Sequence, residues 1–94
     1  GVWRHRLGDY KISNPDAISE GYQIRLAEEK AYLVVEITHP KETMDTGKHV
    51  LHPVSDHRAL VLGSVADAGE SLHVVQRDGQ EQLHFSGYFL RSMQ

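Results

Sequence analysis

The seven histidines of this 94-residue chain are the side chains best suited to chemistry, because neutral imidazole is the commonest metal ligand and titrates near neutral pH. Three of them fall in His49-Val50-Leu51-His52-Pro53-Val54-Ser55-Asp56-His57, where Asp56 could add an oxygen ligand or orient an imidazole. The spacing works against convergence. On a strand, residues three apart point to opposite faces, so His49 and His52 meet only if Pro53 turns the chain. Solvated loop histidines, with no bound metal, are the expectation. A chain without cysteine also has no disulfide, no thiolate nucleophile and no Cys-based zinc or iron-sulfur site.

Catalytic signatures are missing. Ser, His and Asp are all present, but there is no Gly-x-Ser-x-Gly elbow, no glycine-rich phosphate loop and no His-Glu-x-x-His pattern. Glu28-Glu29 resembles a carboxylate pair, yet adjacent acids beside a turn read as solvated charges. His5, on the same face as Trp3 if residues 2–7 form a strand, is the one candidate for acid-base work inside a barrel, and a satisfied core histidine is its plainer reading.

The elements that must position these residues are strands. Apolar residues alternate with period two in many windows, and none of 11 or more residues holds a helical i, i+3, i+4, i+7 pattern. The sequence predicts a first strand over 2–7, a hairpin of 22–26 with 31–37, a brief strand over 48–52, a strand over 58–65 with apolar residues on both faces, a second hairpin of 72–76 with 81–85, and a last strand over 88–93 beyond a bend at Gly87. Placing the first hairpin's loop at Glu28-Glu29 pairs 26 with 31 and 24 with 33, which puts Leu26, Ile24, Ala31 and Leu33 on one face. Asp78-Gly79 is a much stronger turn signal, and it sets His73 opposite His84 on the outside and Leu72, Val74, Leu83 and Phe85 inside. Asn14-Pro15-Asp16 reads as the start of one short helical turn capped by Asn14. Residues 66–70 read as a short antiparallel link.

About seven or eight short antiparallel strands in one domain spanning 1–94 must close or stack to hide their edges, so the fold class is all-β. A small antiparallel barrel is expected, with a two-sheet sandwich as the alternative.

The opening Gly1-Val2-Trp3-Arg4 resembles the Gly-x-Trp start of lipocalin-like barrels, the calycin group that also contains the fatty-acid-binding proteins. In that family an Arg near the end of the last strand commonly packs over the Trp at the closed end, and Arg91 in Tyr88-Phe89-Leu90-Arg91 stands where that residue would. The resemblance implies that Trp3 and Arg91 meet; the plainer reading makes one a core aromatic and the other a surface strand residue.

Ten basic against 13 acidic residues give a net charge of -3, the wrong sign for holding nucleic acid through its phosphates. The longest apolar stretch, 31–35, is far short of the roughly 20 residues of a spanning helix. The chain begins at Gly1 with no basic and apolar leader, which fits a processed protein, an excised domain or a tag remnant alike. Compartment stays undetermined and a homo-oligomer stays open. The expected function is a noncatalytic binding module for a small apolar molecule or a protein partner, without a cofactor, using Trp3, His5, Tyr22, Tyr32 and Arg91. The alternative is a small lipocalin-like enzyme doing acid-base chemistry in the barrel mouth.

Overall fold

The computed structural model describes residues 3–62 and 70–93. Eight antiparallel strands, β1 (Gly8–Ile12), β2 (Gln23–Glu29), β3 (Tyr32–Thr38), β4 (Gly47–Pro53), β5 (Arg58–Leu62), β6 (Ser71–Arg77), β7 (Gln80–Phe85) and β8 (Tyr88–Ser92), form a closed barrel in chain order. Closure comes from β1 pairing with β8, Tyr10 opposite Ser92 and Ile12 opposite Leu90. Among the described residues the barrel leaves no unpaired sheet edge, which resolves the edge problem in favour of the barrel over the sandwich. No helix among the described residues is long and apolar enough to cross a membrane.

The second hairpin has the register that its turn demands. Asp78 and Gly79 both take positive φ, 54° and 76°, and His73 faces His84 while Val74 faces Leu83. In the first hairpin the turn lies instead at Lys30-Ala31, with Leu26 opposite Val35 and Ile24 opposite Ile37. Lys30 sits at φ 57° without being Gly, Asn or Asp, so the turn carries none of the residues that mark one. The displacement is an even number of residues, so the inward and outward faces are unchanged. Gly87 belongs to a two-residue Ser86-Gly87 turn between β7 and β8, with Phe85 opposite Tyr88, and is not a bend within one strand.

Two further expectations are corrected. Residues 4–6 form a single 3-10 turn, and the first strand begins only at Gly8. With three residues per turn, Trp3 and Arg6 fall on one side, where both are buried. In the loop before β2, Asp16 does the capping: its carboxylate accepts from Ile18 N–H and Ser19 N–H. Asn14 accepts from Phe89 N–H and so pins the loop to β8. Gly1, Val2 of the expected first strand, residues 63–65 of the fifth and residues 66–69 of the expected link lie outside the described residues.

The lower interior is filled. Leu26, Leu33, Leu51, Leu72 and Leu83 are all at most 2% exposed and come from five different strands. On the outer face of β1 to β4 the register sets Lys48, Glu36, Arg25 and Asp9 side by side across the strands, alternating in sign as cross-strand charges should.

Candidate functional site: a plugged end and an open mouth

An up-and-down barrel has two ends, and here they differ. One end holds the 3-10 turn and the turns after β2, β4 and β6. Trp3 is 2% exposed and its indole N–H donates to Ser55 O at 2.8 Å. The Arg6 guanidinium stands 4.9 Å from the Trp3 ring centroid, donates to Asp56 O, and grips both carboxylate oxygens of Glu81 at 3.1 Å. Tyr10 completes the plug by donating its hydroxyl to Arg6 O at 2.6 Å. The hydrogen bonds from Arg6 hold Glu81 below the usual carboxylate range, against the effect of burial. Burial, reinforced by the Glu81 charge, pushes Tyr10 up to about 12.

At the other end, among the described residues, the loops after β1, β3 and β7 surround an opening. Inside it lies a cavity of about 330 Å³. Its walls are inward residues in the part of the strands nearest this end: Ile12, Ile24, Ile37, Phe85, Leu90 and Tyr88. These positions alternate with outward ones along each strand, so the period that builds the core also builds the cavity. Ile18, 75% exposed, stands at the lip. Among the polar lining groups, Asp45 is exposed, and His49 turns in from β4 with its ring 5.6 Å from that of Phe85. The Tyr88 hydroxyl donates to Asp16 at 3.3 Å, and the bonds from Ser19 keep Asp16 below its ordinary range.

The residues singled out from the sequence scatter over this architecture. Tyr22 lines the mouth, edge-on to His39 at 4.8 Å. Trp3 is part of the plug, and His5, expected on an inner face beside it, is exposed because a 3-10 turn replaces the strand. Tyr32 is 41% exposed on the outer face beside His52. Trp3 and Tyr32 do border one hollow, about 520 Å³, but it lies at the plugged end and Glu28, Ser55 and Asp56 share its walls. Arg91 is exposed and pairs with Lys11 on the outside of the barrel. The guanidinium over Trp3 therefore belongs to Arg6, three residues away, and not to the last strand.

The histidines diverge as well. His49 points into the mouth, His52 stacks loosely on Tyr32, and His57 contacts Asp56 at 2.7 Å in the turn after β4. His73 bonds the Ser71 hydroxyl at 2.8 Å, and His84 packs on Phe89. Among the described residues no group of three or more His, Cys, Asp or Glu could hold a metal ion. The mouth residues outside the expected ligand-binding set are Ile12, His49, Tyr88 and Leu90, His49 having been weighed only as a metal ligand. A usable signal existed for His49, which shares the parity of the inward Leu51.

Comparison with protein-family models, with curated proteins and with solved structures found no match to this chain.

Proposed function

We propose that this protein is a noncatalytic binding module whose open mouth takes a small apolar molecule. The observation that carries the reading is the cavity of about 330 Å³ walled by isoleucine, leucine and aromatic side chains. Ligand pockets are typically about 300–1,000 Å³, apolar, with a few polar groups that fix orientation. Most enclosed space in a barrel this small is filled by side chains, so an apolar hollow left at one end, with the other end plugged, calls for an occupant. The closed antiparallel barrel of eight strands is compatible with the same reading, whereas the arginine over Trp3 is Arg6 and not the last-strand Arg91 on which the calycin resemblance rested.

Titration with N-phenyl-1-naphthylamine, a neutral dye that brightens in apolar surroundings, tests it. Saturable, blue-shifted emission is expected from the native protein and none from Ile37→Trp, which fills the mouth. Absence of binding by the native protein, or equal binding by a folded Ile37→Trp, rejects the reading.

A protein partner is the second reading. Val50 and Leu62 form a short cross-strand row on the outer face, 36% and 44% exposed, beside Val34, which is itself fully covered. Self-association through this row would appear in sedimentation velocity as a mass that rises with concentration and returns to the monomer in Leu62→Lys. Acid-base catalysis in the mouth has less support. A general base is normally oriented by a hydrogen-bonded partner, and His49 has none among the described residues.

A further inference from the structure

Given that the mouth is a ligand site, the charges around it select the head group of the ligand. Among the described residues that line the cavity, one carries a full charge, Asp45, and none is Lys or Arg. An apolar acid bound there would bring its carboxylate to a site with no cation to pair it and a like charge at the entrance, a cost that nothing offsets. The neighbouring loops deepen the bias. Residues 13–22 add Asp16 and Glu20 with no Lys or Arg, and residues 39–46 add Glu42 against Lys41.

What the lining does offer is acceptors. His49 is half-buried, projects into the cavity edge-on to Phe85, and makes no hydrogen bond within the described residues, so one ring nitrogen is left to accept from a ligand. Asp45 stands at the entrance, four residues earlier on the segment that leads into β4. Tyr22, Phe85 and Tyr88 add aromatic rings, whose faces attract cations.

We propose that the mouth is selective for apolar amines, the hydrocarbon body lying against Phe85 and Leu90 and the ammonium donating to Asp45 and His49. An alcohol of the same length would bind through the same walls and could donate its hydroxyl, but would gain no ion pair with Asp45. A carboxylate would be rejected.

Isothermal titration at pH 7 with octylammonium, 1-octanol and octanoate separates these cases in the native protein and in Asp45→Asn. The expected order is octylammonium tightest, by about fivefold over 1-octanol as suits an exposed ion pair, with octanoate weakest. Asp45→Asn should bring the amine level with the alcohol and leave the alcohol unchanged. Equal binding of amine and alcohol by the native protein, or tightest binding of octanoate, overturns amine selectivity alone. No binding by any of the three overturns it together with the reading of the mouth as a ligand site.

Discussion

Arg6 lies with its guanidinium 4.9 Å from the Trp3 ring while clamping both oxygens of Glu81, so one side chain joins the start of the chain to a strand 75 residues later. The plug therefore depends on a residue that looks, in the sequence, like an outward charge on a strand.

Replacing Arg6 by Ala removes the clamp, the bond to Asp56 O and the cover over Trp3 together. A loss of about 2 to 3 kcal/mol is expected, below the roughly 3–5 of a fully buried pair because the Glu81 side chain remains 40% exposed. Arg91→Ala, on the outer face, should stay within about 0.5 kcal/mol. Urea unfolding of the two variants decides it, and equal losses would show that Arg6 is not the element holding the plug.

Acid should weaken the plug. Because Arg6 holds Glu81 below the ordinary value of 4.5, the folded chain resists protonation more than the unfolded one. That contribution is present above about pH 4.5 and is lost as the pH falls further. The stability difference between the native protein and Glu81→Gln should accordingly shrink between pH 5 and pH 3 in urea titrations, and a difference independent of pH would contradict the pairing.

Alkali acts through Tyr10. Its hydroxyl rises from 10.0 to about 12 on folding, so between those values the unfolded chain releases a proton that the folded chain keeps. Stability falls as pH rises through this window. Tyr10→Phe should be less stable at neutral pH, having lost the bond to Arg6 O, but should unfold with a shallower dependence on alkaline pH. An unchanged slope would place the tyrosine in water.

The second hairpin gives a test of which face is the core. Phe85 is 4% exposed and its truncation to Ala should cost about 3 to 5 kcal/mol. His84, one residue earlier and outward against Phe89, should cost about 0.5 kcal/mol when replaced by Ala. Similar losses from both would reject the observed register.

How far the sequence could be read depended on whether a feature was local. The pairing of His73 with His84 was legible because Asp78-Gly79 admits a single turn geometry. The first hairpin was located but its turn was not, since Lys30 adopts a positive φ without any residue that announces it. The alternation of Trp3, His5 and Leu7 against Arg4 and Arg6 imitates a strand. It is in fact a 3-10 turn whose partners, Ser55 and Glu81, lie 52 and 75 residues away and leave no local mark. The mouth was hidden for a similar reason. Its walls are one or two residues from each of several strands, and only closure of the barrel brings Ile12, Ile37, His49 and Leu90 together.

The central claim, that the unplugged end is the ligand site, is tested most directly by following backbone amide resonances while 1-octanol is added to the native protein. Saturable shifts should concentrate at Tyr22, Gly47, His49, Ser86 and Gly87 around the mouth, with Arg6, Ser55 and Asp56 at the plug unmoved. Shifts centred on the plug, or no saturable shift anywhere, would contradict it.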